Sequence, residues 1–225
     1  MSIFDYSTTD WASINRLSNW YSGDIHDVMD KHGAYGHLKG ISLFGSLPPG
    51  KVVCGPAVTV LYEPSTRTGQ PQDVYHGAID GVIKGGIMMV DASCAEGSGT
   101  GELMSTGAKV AGAAATVVHG TVRDLAEVRH LDYPLFARGT SPVGVSGRME
   151  PTRAHIDLDI DGVRVRPGDV IFADISGVVV IPRELIATIA DAADENGKGE
   201  ALCRERILSG ETLQSVWPLG SSGPA

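Results

Sequence analysis

An α/β layered sandwich with mixed sheets is the fold this sequence predicts, and three observations predict it. Residues 87–131 read strand, glycine-rich turn, helix, strand and helix, the alternation that builds parallel strand pairs. Residues 154–161 alternate cleanly, with Ile156, Leu158 and Ile160 against Asp157, Asp159 and Asp161, as a half-exposed antiparallel strand does. The element order is two helices, a mixed α/β half, a hairpin-rich half and one long helix, which departs from a doubly wound dinucleotide fold. Of the 225 residues, 42% are hydrophobic, enough for the core of a single domain over 1–225.

The elements follow in order. Asp10 caps a first helix over 10–21, which sets Trp11, Ile14, Leu17 and Trp20 at helical spacing. Gly23 breaks it, a second helix covers 24–32, and Gly33 ends that one. Residues 34–50 read as loop. Residues 51–61 are a strong strand, inside which Gly55-Pro56 calls for a bulge or an edge. The polar, Pro/Gly/Thr-rich stretch 63–73 reads as a surface loop near a site. Residues 74–83 are helical and 87–90 a strand; 97–101 is a loop that opens a small-residue helix. A strand at 114–118 returns, and a turn from His119 leads into a helix reaching Leu131, followed by a short strand at 133–137. Asp161-Gly162 is a two-residue hairpin signal, with 163–165 the returning strand. Turns at 167–169 and 176–177 introduce strands 170–173 and 178–181. The terminal helix spans 183–208, and 213–225 reads as a loosely attached tail.

Composition excludes several functions. The net charge is −9 and no basic block exists, which argues against nucleic acid, because phosphate binding needs clustered Lys and Arg. Cys54, Cys94 and Cys203 have no CxxC spacing and read as reduced thiols in a cytoplasmic protein. The N-terminus lacks a basic region followed by an apolar core, and no run reaches membrane-spanning length. The loop 97–101 is neither a P-loop nor a dinucleotide fingerprint in the needed register, and no Cys/His cluster supports zinc.

The chemistry concentrates between Gly97 and Glu127. A glycine-rich loop opens a helix at Gly101-Glu102-Leu103-Met104, and helix N-termini bind anions through free N–H groups and the dipole. The next strand ends in a turn that delivers Arg123, Asp124 and Glu127. A cradle, a guanidinium and two carboxylates in one strand–helix unit suggest a metal-assisted site for a small carboxylate. Each residue also has a plainer reading. Asp124 alone could cap the helix after it; with Arg123 and Glu127 beside it, a metal ligand is favoured. Arg123 either pairs with a substrate carboxylate or forms a salt bridge with Glu127 or Asp124. Glu102 is an N-terminal charge that suits the dipole, or a group that holds water on the metal. The side chains of Leu103 and Met104 read as core. Asp91, at a strand end, is a supporting site group or a turn residue. His76 and His119 are the nearest histidines and read as structural more than catalytic. Lys84 and Lys109 sit in turn and helix contexts, so no Schiff-base lysine stands near.

Four segments give the chain a family resemblance: Gly101-Glu-Leu-Met, the turn Gly120-Thr-Val-Arg123-Asp124-Leu-Ala-Glu127, Arg166-Pro-Gly-Asp169, and Asp174-Ile-Ser-Gly-Val-Val-Val-Ile-Pro182. They resemble the RraA-like superfamily over residues 24–213, in particular its class II aldolases for 4-hydroxy-4-methyl-2-oxoglutarate and 4-carboxy-4-hydroxy-2-oxoadipate. The family pattern places a glycine where this chain has Glu102, with Gly101 one position earlier. The resemblance implies an α/β/β/α sandwich of the swivelling-domain type. It implies a lyase that releases pyruvate through a metal-stabilised enolate and also decarboxylates oxaloacetate, with Mg²⁺ or Mn²⁺ held by Asp124 and waters. On that pattern the Leu103 and Met104 N–H groups take the pyruvoyl carboxylate and Arg123 pairs with substrate. Glu127 orients water on the metal, although a solvated surface glutamate is nearly as good a reading. Glu200, late in the terminal helix, reaches a neighbouring subunit's site in the aldolase branch; alone it is an ordinary surface charge. A homotrimer or homohexamer is implied. Two other functions remain open: a non-catalytic regulator that binds a ribonuclease, and a related lyase on another hydroxy or sugar acid. The regulators stop near the last strand, and the terminal helix here favours the lyase.

Overall fold

The computed structural model describes residues 4–69 and 72–216. Two helices open the chain, α1 (Trp11–Leu17) and α2 (Ser22–Lys31). Asp10 caps α1 as its sequence context requires, its Oδ1 accepting from Ser13 N at 3.1 Å. The helix stops at Leu17, short of Trp20, whose indole N–H reaches across to Asp194 at 2.9 Å.

The sheet follows: β1 (Ser42–Leu43), β2 (Val53–Pro64), α3 (Asp73–Asp80), β3 (Ile87–Asp91), β4 (Ser98–Thr100), α4 (Glu102–Ala111), β5 (Ala115–Val122), α5 (Leu125–His130), β6 (Leu135–Thr140) and β7 (Met149–Ala154). A hairpin, β8 (Leu158–Ile160) with β9 (Val163–Val165), stands apart. The chain closes with β10 (Val170–Asp174), β11 (Gly177–Ile181), a 3₁₀ turn at Arg183–Leu185, α6 (Ile186–Leu208) and α7 (Leu213–Val216).

The main sheet runs β1-β6-β5-β3-β2-β10-β11, with β4 added on β5 and β7 on β2. β2, β3, β5 and β6 are parallel neighbours; β10, β11, β7 and β1 pair antiparallel. β2 is the pivot. Its start pairs with β10, its middle with β3 and its end with β7. Gly55-Pro56 sits where β2 exchanges β10 for β3. A Cβ at Gly55 would lie 2.1 Å from Gly85 O, so glycine there answers a close backbone approach. The segment before β1 also reaches β11, with Leu38 N donating to Val178 O at 3.0 Å and Val180 N to Gly36 O at 2.8 Å. The sheet therefore almost closes on itself.

Side-chain alternation then defines the layers. Ile87 and Met89, Ile171 and Ala173, and Val178 and Val180 point between the two sheet halves, where the hairpin covers them. Met88, Val90, Val118 and Val122 point out under α3, α4 and α5. Val170, Phe172, Val179 and Ile181 point out on the other side, under α1, α2 and α6. The result is the α/β/β/α order. Each buried Val, Ile, Met or Phe side chain among them contributes about 1.5–3 kcal/mol of apolar transfer.

Two motifs behind the resemblance are fasteners. Asp174 is buried and accepts from Ser22 N and Ser22 Oγ, both at 2.8 Å, which docks the start of α2 on the β10–β11 turn. Asp169 is buried and accepts from Arg166 N at 2.8 Å and Arg183 N at 3.0 Å, locking the turn into β10 to the start of the C-terminal segment.

The structure corrects several sequence readings. The first helix ends at Leu17 rather than at 21, and the segment 34–50 read as loop contains β1. The loop at 97–101 contains β4. The strand at 114–118 continues to Val122, because β4 and β6 both pair with its end. The alternating segment 154–161 is only partly strand, Leu158–Ile160, and Met149–Ala154 forms a separate strand on β2. The tail begins as a short helix, α7, whose Val216 is fully buried; residues 217–225 of that tail lie outside the described residues. The two-residue hairpin turn at Asp161-Gly162 is as expected: both residues have positive φ, and Ile160 faces Val163.

Candidate functional site

The strand ends on the α4 side carry an open cleft lined by Gln72, His76, residues 98–104, Arg123, Asp124 and residues 144–146. β4 delivers the chain into α4 beside the end of β5. Arg123 N donates to Thr100 O at 3.1 Å, and Thr121 Oγ1 donates to Gly97 O at 3.0 Å. The start of α4 and the Arg123-Asp124 turn are thereby held side by side.

Asp124 does not cap its own helix. Its backbone is left-handed, φ 58° and ψ 38°, a conformation that Asp tolerates better than most residues. Its Oδ2 instead accepts from Glu102 N, across at the start of α4, at 3.2 Å. The helix-cap alternative for this side chain is therefore set aside. Arg123 Nε lies 3.4 Å from the same oxygen. The arginine's Nη groups make no hydrogen bond to the protein among the described residues, and Nη1 would lie 3.2 Å from a Cβ placed on Gly144. The guanidinium fork is thus free to meet a ligand.

Gly101 is the glycine that opens α4. Its backbone is extended, so glycine is not needed for conformation. It is needed for space: a Cβ there would lie 2.4 Å from Asp124 Oδ2 and 3.1 Å from Arg123 Cγ. Ser105 N makes the first intrahelical bond of α4, to Gly101 O at 3.1 Å. Glu102 N is taken by Asp124. The N–H groups of Leu103 and Met104 have no protein acceptor among the described residues, and they stand at the positive end of the helix dipole. Together they form an anion cradle beside a cation.

The remaining sequence candidates fall in three places. Glu102 lines the cleft, with its carboxylate accepting from Thr106 Oγ1 at 2.8 Å. Leu103 is 81% exposed at the rim rather than core, because the cradle turns that position outward; Met104 is half-buried against the outer apolar layer. His76 lines the cleft from α3. Glu127 is exposed on the first turn of α5 and has no side-chain polar contact among the described residues. Asp91 and His119 face the inside of the barrel, paired at 2.9 Å. Glu200 lies on α6 in the opposite layer, accepting from Asn196 at 3.1 Å. Burial, then the nearby Asp24 carboxylate, raises the Glu200 carboxyl above its ordinary range.

Sequence reasoning did not single out Gln72, Ser98 or the wall at 144–146. Gln72 Oε1 accepts from the buried Tyr62 hydroxyl at 2.7 Å. The wall is fixed by backbone bonds between two loops, Gly147 N to Arg67 O at 2.8 Å and Ser65 N to Arg148 O at 2.9 Å. The only sequence signal for it was the Pro/Gly/Thr-rich composition of its partner loop.

The sequence model of the RraA-like family, described as Aldolase/RraA, matches residues 23–180. The chain belongs to this family. Among RraA-like and related proteins, DlpA of Legionella pneumophila is 32% identical over 207 residues, which cover 90% of this chain. The chain spans only 33% of the length of DlpA. A Halalkalibacterium halodurans protein, provisionally named a 4-hydroxy-4-methyl-2-oxoglutarate aldolase, is 28% identical over 72% of this chain and 74% of its own. The solved structure of RraAS2 from Streptomyces coelicolor, described as an unusual member of the RNase ES inhibitor RraA family, superposes with a TM-score of 0.76. It is 26% identical and covers 87% of this chain and 96% of its own. The RraA-like family thus spans proteins named for catalysis and proteins named for regulation.

Proposed function

We propose that this protein is a divalent-metal-dependent aldolase that cleaves a 4-hydroxy-2-oxo acid to pyruvate, and that it also decarboxylates oxaloacetate. The observation that carries the reading is the pairing of an anion cradle with Arg123 and an Asp124 carboxylate that is not spent on its own helix. The provisional name of the Halalkalibacterium relative supports it.

The donor set fits a hydrated hard cation. Among the described residues no group of three or more His, Cys, Asp or Glu side chains is placed to hold a metal. Asp124 would be the protein ligand of Mg²⁺ or Mn²⁺, cations that keep several waters and need few carboxylates. The cation supplies Lewis-acid stabilisation of the charge that develops on the keto oxygen. The protein's part is positioning. Leu103 and Met104 N–H groups donate to the α-carboxylate, and Arg123 offers its planar fork to an oxygen pair of the substrate. Cleavage breaks the C3–C4 bond as the 4-hydroxyl gives its proton to water and becomes the carbonyl of the departing fragment, and C3 then takes up a proton from water to give pyruvate.

Steady-state pyruvate release should appear with oxaloacetate or 4-hydroxy-4-methyl-2-oxoglutarate in the presence of Mg²⁺ or Mn²⁺, and exhaustive chelation should remove it. Full turnover after chelation would overturn the metal reading. A folded protein inert toward both acids but tight on a ribonuclease would instead be a regulator.

The proposal extends to a homotrimer or homohexamer acting in the cytoplasm. Leu103 and Val110 on α4 are 81% and 83% exposed, and Ile175 is 81% exposed on the opposite layer, apolar surface that a second subunit would cover. The free thiols Cys54, Cys94 and Cys203 suit a reducing compartment. If Glu200 completes a neighbour's site, inactive Asp124→Ala and Glu200→Ala subunits should regain activity on mixing, since one interface can then pair an intact Asp124 with an intact Glu200. No recovery in a demonstrably exchanging oligomer would remove Glu200 from the site.

A further inference from the structure

Among the described residues, the hairpin β8–β9 pairs with no strand of the main sheet. Leu158, Ile160, Val163 and Val165 anchor it over the central apolar layer. Among the described residues, the polar tether of its tip to the barrel is one carboxylate, Asp161. That side chain pairs with the Arg138 guanidinium of β6, and its Oδ1 lies 3.6 Å from Nε2 of His119 on β5. His119 is only 4% exposed. Its Nδ1 lies 2.9 Å from Asp91 Oδ1 on β3. An ionised carboxylate only accepts, so Nδ1 carries the proton of a neutral ring. Nε2 then turns a lone pair toward Asp161, and that nitrogen is buried with no hydrogen-bond partner among the described residues. An imidazolium would donate to both carboxylates at once.

We propose that His119 is a proton-controlled clamp on the hairpin. Charged, it bridges Asp91 of the barrel and Asp161 of the hairpin tip; neutral, it keeps Asp91 and releases Asp161 to Arg138 alone. Among the described residues, the charged groups placed against the ring are Asp91 from β3, Asp161 from the hairpin and, through Asp161, Arg138 from β6. Burial pushes the Asp91 carboxyl up, but hydrogen bonds from His119 and Ser93 outweigh it and hold that group below its ordinary range, an acceptor for the ring in either state. The sign follows from the charge: acid favours the imidazolium and completes the clamp, and base removes its second proton and opens it. Because Asp161 keeps Arg138, the release loosens the hairpin without unfolding the barrel.

Deuterium uptake by residues 157–166 of the full chain, corrected for intrinsic exchange, tests this between about pH 5 and pH 8. Hairpin protection should fall by about fivefold across that window, the size expected of one partly exposed ion pair. In Asp161→Asn, which keeps the left-handed turn, the fall should vanish. Protection independent of pH in the wild type, or an unchanged fall in Asp161→Asn, would overturn the clamp. An NMR titration of the wild type needs no variant: the His119 ring nitrogens and the amides of residues 160–163 should shift with one midpoint. Hairpin amides that stay still through the ring's titration would overturn it as well.

Discussion

Asp124→Ala should lower pyruvate release by a thousandfold or more while leaving the protein folded. The cation that this carboxylate would hold contributes several kcal/mol to stabilising the developing charge, and each 1.4 kcal/mol or so is a factor of about ten in rate. The fold should survive because the side chain is half exposed and does not cap its own helix; the bond lost is the one from Glu102 N. Alanine does carry one cost, since φ of 58° is strained for it by about 1 kcal/mol. Asp124→Asn separates the effects. Asparagine tolerates that backbone and still accepts from Glu102 N, but it lacks the charge. Circular dichroism should show both variants folded, and both should be inactive. Near-normal turnover in the folded Asn variant would mean that Asp124 serves only to tie the turn to α4.

What the sequence disclosed follows from the range of the interactions involved. Ile87–Val90, Val170–Ala173 and Val178–Ile181 are apolar runs buried on both faces, and they were legible as strands without knowing their partners. The tip Asp161-Gly162 was legible because two positive φ values demand those residue types. β4 was hidden by Gly99 and by the flanking Gly97 and Gly101. Gly99 carries no strand propensity, yet a Cβ there would lie 2.5 Å from that of Ala92, so the packing that makes the strand also forbids a strand-forming residue. β7 was hidden by Pro151 and by the register shift opposite Leu61 and Tyr62, which breaks the alternation. The same split runs through the site. Arg123, Asp124 and the start of α4 lie within one strand–helix unit and could be read together. The wall at 144–146 and Gln72 arrive through β7 on β2 and through α3, long-range contacts that no local pattern encodes.

Gly101→Ala should cost on the order of a hundredfold in activity, although it removes no functional group. The added methyl would start 2.4 Å from Asp124 Oδ2 and 3.2 Å from Arg123 Nε, so the carboxylate, the guanidinium or the first turn of α4 has to move. Movement of either side chain separates the cation ligand from the anion cradle, and displacement of about 1 Å at such a site costs on the order of a hundredfold in rate. The backbone at Gly101 is extended, φ −143°, so alanine introduces no torsional strain and stability should fall by little. A thermal melt close to that of the wild type, with kcat/KM reduced by about two orders of magnitude, is the expected pair of results. The same substitution should weaken binding of pyruvate, read by calorimetry, because the Leu103 and Met104 N–H groups lie on the turn that shifts. A stable Gly101→Ala protein with wild-type kcat/KM would show that the close packing of Gly101, Arg123 and Asp124 is not the geometry that the reaction uses.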